Sequence, residues 1–508
     1  MRRDEEVRGV DGQALNPYLP TWEYVPDDEP RVFGDRVYVY GSHDRFGSRL
    51  FCLNDYVCWS ASVDDLSAWR HEGVIYGKRQ DPRNRLGWRS MYAPDVVRGP
   101  DGRYYLFYAL DFVGLMSVAV CDEPAGRFEF LGHVRFPDGR LWGESSGDPF
   151  PFDPGVLVDD DGSVYLYSGF ARKTPRVLSR FRRLTHEGGV VLRLEPDMLT
   201  IRSGPSLLFP ARGREGAFTD HAFFEASSIR KVDGRYCFVY SSEHNHELCY
   251  AMADHPEGPF AFGGTLVDLG DVFLDGRPTE RHAVNYLGNT HGGIVSIKDE
   301  WHVFYHRQTH RHSYSRQGCA ERLVRLDGGG FAQAEVTSCG LNGGPLRGRG
   351  RYPASIACHL IGRDGAARYD MPFARWRLRA HPYLTQEHPD SSTTESQHVA
   401  NVRDGTVVGF KHFACDAVVA LELEVRGTFR GRVVASDTVD FSRVGGASSL
   451  DVGSKRFTAH RVDCAIPGGT RPLYLRFEGV GALDFAAFTF VTADEDSGNT
   501  SNRPVTDL

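Results

Sequence analysis

At 508 residues the chain is long enough for two or three domains with sizeable cores. Hydrophobic residues at 41% and aromatics at 12% exclude a disordered protein. A net charge of −8 without a long basic block argues against nucleic acid or an anionic membrane as partner, and no apolar run approaches the roughly 18 residues of a membrane span.

The N-terminal stretch, MRRDEEVRGVDGQALNPYLP, is charged and lacks the apolar core of a secretion signal, so a cytoplasmic location is expected. The ten cysteines lack metal-type pairing; Cys52 and Cys58 are the closest two, and buried free thiols are expected.

Further along, one pattern recurs. Residues 29–42 read EPRVFGDRVYVYGS, and 93–109 read APDVVRGPDGRYYLFYA. The pattern returns as DPGVLVDDDGSVYLYSG at 153–169, EASSIRKVDGRYCFVY at 225–240 and HGGIVSIKDEWHVFYHR at 291–307. Each copy has a polar start, an apolar strand, a tight turn and an apolar-aromatic strand. Five copies, roughly 60 to 70 residues apart, predict a five-bladed β-propeller over 1–335. DDDG at 159–162 reads as a hairpin turn and not a calcium loop, because the glutamate that closes such a loop is missing. The histidine-rich stretch 306–315 lacks the helical spacing of a zinc site and reads as a substrate-facing loop without metal.

The first strand of each propeller blade lines the central axis, so the five strand starts should meet at one mouth. This groups Glu29, Asp95, Asp153, Glu225 and His291. Converging carboxylates either bind metals or work as an acid–base pair; in the second case they suit hydrolysis of a glycosidic bond, one donating a proton and one activating water. Tyr92, Trp59, Phe224 and Phe170 are candidate sugar platforms, and His43 and Asp44 could face the pocket from a strand end. Asp153, before a proline, is expected to be structural.

GGG at 328–330 and LNGGPLRGRG at 341–350 punctuate the text. A linker with connecting strands is expected over 336–374. Alternating strands from 375 to 492 predict a β-sandwich, jelly-roll-like, and the polar tail 493–508 reads as disordered. The fold class is all-β.

The sequence resembles glycoside hydrolase family 43 in EPRVFGDRVYVYGSHD (29–44), MYAPDVV (91–97), FFEASSIRK (223–231), NTHGGIV (289–295) and SRQGCAE (315–321). The resemblance implies a five-bladed propeller that hydrolyses α-L-arabinofuranosides or β-D-xylosides with inversion. It implies Glu225 as general acid and Asp95 as the acid that tunes and orients it. It implies His291 as the axial histidine, in many members contacting a channel calcium or water cluster, and Arg316 as an arginine reaching the substrate. The family's first blade usually opens with Asp-Pro; aligning the proline of PDDEPRVF puts Glu29 in the base position, with Asp28 or Asp27 as the alternative in another register. No cofactor is required for the chemistry on this resemblance, although a structural calcium in the channel is compatible with it. The C-terminal strands resemble a family 6 carbohydrate-binding module. The expected partner is an oligosaccharide, and oligomeric state is not legible. A non-catalytic sugar-binding propeller and a galactosidase or galactofuranosidase are the rival readings.

Overall fold

The structure, a computed structural model, describes residues 5–111, 113–173, 177, 179 and 181–493. The expected disordered tail therefore lies, apart from its first residue, outside the described residues.

Five sheets form the propeller. Their innermost strands are Glu29–Phe33, Met91–Arg98, Gly155–Val158, Phe223–Val232 and Ile294–Ile297. Each pairs antiparallel with the strand that follows it, so each recurrent text segment is the inner hairpin of a blade. The turns have the required chemistry. Asp233 and Gly234 (φ 49° and 77°) and Lys298 and Asp299 (φ 50° and 64°) are all left-handed, as a two-residue type I′ hairpin demands. The first blade gains a fifth strand, Glu6–Arg8, while the last has three: Ile294–Ile297, Glu300–Gln308 and Arg316–Arg322. Neighbouring innermost strands touch all the way round the ring. A bridge between Asp28 and Gly292 closes first blade onto last. Apolar clusters fill the gaps between blades, for example Val39, Trp59 and Trp69 of the first blade with Phe304 and Ala320 of the fifth.

After the propeller a ten-stranded sheet curls around its own core, which includes Phe410, Leu421, Phe477, Phe485 and Phe488. Its frame is the antiparallel pair Val418–Ser436 and Gly469–Thr492, matched from Val418 opposite Thr492 to Ser436 opposite Tyr474. The stretch expected to be a linker with connecting strands does carry strands, and they belong to this sheet. Leu346–Gly348, Gly350–Pro353 and His359–Ile361 pair into this sheet, so the second unit begins near residue 346 and not at 375. The Gly-rich punctuation is real, but strands follow it at once.

The two units interlock. Tyr286 belongs to the core of the second unit and stacks on Tyr369 at 4.4 Å and 12°. Lys411 reaches into the propeller to Asp271 (2.8 Å) and Glu335 (2.9 Å), with all but the Glu335 side chain buried. All ten cysteines are free, nine of them buried. Among the described residues no helix is long and apolar enough to cross a membrane.

Candidate active site

A cavity of about 520 Å³ sits at one mouth of the channel, and Asp27, Asp153, Glu225 and His291 all line it. They come from the first, third, fourth and fifth blades, each at or just before the innermost strand. Asp27 and Asp153 stand two residues ahead of their strands with left-handed backbones, φ 61° and 46°. The second blade has Ala93 in the corresponding place, with its N–H bonded to Ser42 Oγ.

Two residues further along each strand, side chains again face the axis but sit roughly 7 Å deeper. Here lie Glu29 and Asp95, and neither lines the cavity. Glu29 is ion-paired to Arg230 at 2.6 Å and accepts a hydrogen bond from Ser228 Oγ at 2.9 Å. Asp95 is clamped by Arg31 Nε and Nη2 and by the Val156 N–H at 2.7 Å. A Cβ on Gly293 would come within 2.6 Å of Glu29 Oε2, which shows how tightly this lower ring is packed. The expectation that Glu29 and Asp95 are catalytic is therefore corrected. They form a buried ion-pair plug beneath the site, and the expected ring combined two depths of one channel.

The other expectations divide. Tyr92, Phe170, Phe224, Arg316 and His291 line the cavity. Trp59 does not: it is fully buried between blades, its indole N–H on Glu23 at 3.0 Å. His43 also misses it, held by Asp55 O at 2.7 Å and Glu23 at 3.1 Å. Asp44 lies behind, gripping Arg316 at 2.9 Å. Asp28, the alternative base, points sideways to where Tyr18 and Gly318 meet, and burial holds its carboxyl well above the usual range. Of the histidine-rich stretch, 306–308 belong to the strand Glu300–Gln308, and the loop after it brings Ser313 and Tyr314 to the cavity.

Electrostatics separate the acids. Burial alone would raise Asp27. Arg316 at 2.7 Å, then His306 at 3.2 Å and His291 at 3.8 Å, override it and hold the carboxyl far below the usual carboxylate range. Glu225 goes the other way, pushed up to about 7 by burial, with Asp27 adding to the rise and His246 and Arg316 opposing it. Asp153 is raised by burial and then by Glu225, and it accepts the Ala226 N–H at 3.1 Å, beside Glu225 in the chain. Burial lowers His291 to about 4, which leaves its imidazole neutral at ordinary pH. On this one cavity Asp27 is thus shifted down while Glu225 and Asp153 are shifted up.

Aromatic rings belt that cavity. Centroid separations run Tyr314–Phe51 4.7 Å, Phe51–Tyr92 6.3 Å, Tyr92–Phe152 5.3 Å, Phe152–Phe170 5.0 Å and Phe170–Phe224 5.5 Å. The sequence reading held Asp27 only as an alternative base and missed Phe51, Phe152, His246, Asn289, Tyr314 and Asp370. For Asp27 the signal was there: it precedes its strand as Asp153 does.

A propeller with acids shifted in opposite directions in an aromatic-lined pocket suits a sugar-cleaving hydrolase. Residues 16–328 match the glycosyl hydrolases family 43, and the chain belongs to that family. It is 44% identical over 492 residues to a xylosidase/arabinosidase of Thermoclostridium stercorarium, covering 94% of this chain and 99% of the relative. A xylosidase/arabinosidase 43A of Humicola insolens is 31% identical, over 56% of this chain and 88% of its own. Among solved structures, a family 43 arabinoxylan arabinofuranohydrolase from Bacillus subtilis in complex with cellotetraose aligns with a TM-score of 0.49 and 19% identity, over 96% of this chain and 99% of that one.

Proposed function

We propose that the protein is an inverting exo-glycosidase that removes terminal α-L-arabinofuranosyl or β-D-xylosyl units from plant-type oligosaccharides. The observation that carries this is that Asp27 and Glu225 line one aromatic-belted cavity in opposite surroundings, Asp27 against Arg316 at 2.7 Å and held low, Glu225 buried and raised to about 7. In this scheme Asp27 takes a proton from water as the water oxygen bonds the anomeric carbon. Glu225 gives its proton to the departing glycosidic oxygen as that C–O bond breaks. Asp153, tied to the Ala226 N–H next to Glu225 in the chain, orients the donor. Arg316 fixes Asp27 from below and lies over the Phe51 ring at 4.8 Å. The names of the relatives supply the sugar class. The non-catalytic alternative rested on a glutamate in the base position, and an aspartate on the cavity removes that ground.

The channel does not suit a calcium ion beneath His291. Its two carboxylates, Glu29 and Asp95, are already neutralised by Arg230 and Arg31, and Asp27 by Arg316. No step is assigned to a metal. The second unit, which resembles a carbohydrate-binding module in sequence, is assigned a buttressing role on the strength of its interlock through Tyr369 and Lys411.

A panel of nitrophenyl glycosides tests the sugar class, and proton NMR of the first-formed product tests the stereochemistry. Turnover of pentosides with inverted anomer is expected. Turnover confined to hexosides, or retention of configuration, contradicts the assignment.

A further inference from the structure

Asp370 lies outside the family-matching residues 16–328, yet it lines the catalytic cavity. The chain at 367–370 runs beside the propeller: Leu287 N–H bonds Ala367 O and Tyr369 N–H bonds Leu287 O, both at 2.7 Å. Arg368 pins the end of this segment. It holds Asp370 Oδ1 at 2.9 Å, Glu280 at 3.0 Å and Asn245 Oδ1 at 2.7 Å. Asp370 Oδ2 then meets His246 Nδ1 at 3.1 Å. His246 has a left-handed backbone, φ 57°, which a non-glycine residue keeps only when its surroundings enforce it. Its ring lies on Phe224 at 4.7 Å and 11°, next in the chain to Glu225. Phe224 and His246 also line a second, smaller cavity with Arg172, Arg212 and Glu243. The stacked pair therefore forms the wall between the catalytic cavity and this neighbour, on the side of the proton donor.

We propose that Asp370 is a positioning residue for the leaving group: by holding His246 flat on Phe224 it builds the platform on which the departing sugar packs beside Glu225. This rests on the pentosidase reading above. It means that a segment beyond the family-matching core completes the leaving-group side of the pocket.

The test compares a pentosyl disaccharide with the corresponding pentosyl fluoride, whose leaving group has no sugar to pack. Asp370→Ala is expected to lose about tenfold or more in kcat/KM on the disaccharide and to stay within about twofold on the fluoride. Asp370→Asn, which keeps an acceptor oxygen for the imidazole, is expected to recover most of that loss. Adding Asp370→Ala to His246→Ala should cost little more than His246→Ala alone, because one acts through the other. Equal losses on both substrates, or losses that simply add in the double variant, overturn the proposal while leaving the pentosidase reading intact. A parent enzyme that turns over hexosides only overturns both.

Discussion

Asp27 and Glu29 are two residues apart and face the same axis, yet their surroundings give them opposite tasks. Asp27 meets the cavity with one arginine and two histidines about it; Glu29 is sealed below with Arg230. Glu225 carries the clearest pH signature. As the proposed proton donor it acts in its protonated form, so kcat/KM on a poor leaving group should fall as pH rises through about 7. Glu225→Gln should lose several orders of magnitude in kcat on such substrates and much less on nitrophenyl glycosides, and its alkaline limb should vanish. Steady-state pH profiles on both substrate types check this; equal losses on both count against the donor role. The shift also bears on stability. Folded Glu225 holds its proton to about 7 against an ordinary value of 4.5, so stability should drop between those values and be flat above them. Melting curves of Glu225→Gln should lack that drop. At this scale residue type was legible and depth was not: period 2 places i and i+2 on one face but does not say which is nearer the mouth.

At the scale of elements, the repeated hairpins gave the blades because local signals sufficed. Alternating apolar strands and Asp-Gly or Lys-Asp turns need no long-range information. What escaped was the shift between blades. In the second and first blades the acid lies inside the strand, in the third just ahead of it, and Asp95 and Asp153 look alike until the strands are placed. The aromatic belt is hidden for the same reason, since Phe51 and Tyr314 come from loops far apart in the chain and meet only in the folded ring. Packing inside the fifth blade offers a sharp test. A Cβ on Gly292 would lie 1.9 Å from the backbone oxygen of Phe304, which has no freedom to retreat. Gly292→Ala should cost about 2 kcal/mol or more, whereas Gly344→Ala, with nothing nearby, should stay within about 0.5 kcal/mol. Denaturant titration of both variants reads the difference, and equal midpoints contradict the tight packing of Gly292 on Phe304.

For the molecule as a whole, propeller and second unit are joined through buried contacts. A chain cut after residue 335 loses Lys411 from Asp271, Tyr369 from Tyr286 and Asp370 from the cavity. It leaves the Asp271 carboxylate buried without its lysine, a change that typically costs about 3 to 5 kcal/mol. The shortened chain is expected to be insoluble or to melt well below the full one, with no measurable turnover; a stable, active 1–335 fragment would show that the second unit is dispensable. The sequence marked where the second unit's strands lie, but the strands of 346–361 are short and Gly- and Pro-rich, and that composition reads as linker until partners are known.

The central claim is that the catalytic acids form the upper ring, Asp27 with Glu225, while Glu29 belongs to a structural ring below. Measuring kcat/KM and melting temperature for Asp27→Asn and Glu29→Gln side by side tests it most directly. Asp27→Asn should lose at least about a thousandfold in kcat/KM, comparable to removing an essential base. Glu29→Gln should keep kcat/KM within about tenfold but lose on the order of 3 kcal/mol of stability as Arg230 is left without its charge partner. An inactive but stably folded Glu29→Gln beside an active Asp27→Asn would contradict the account.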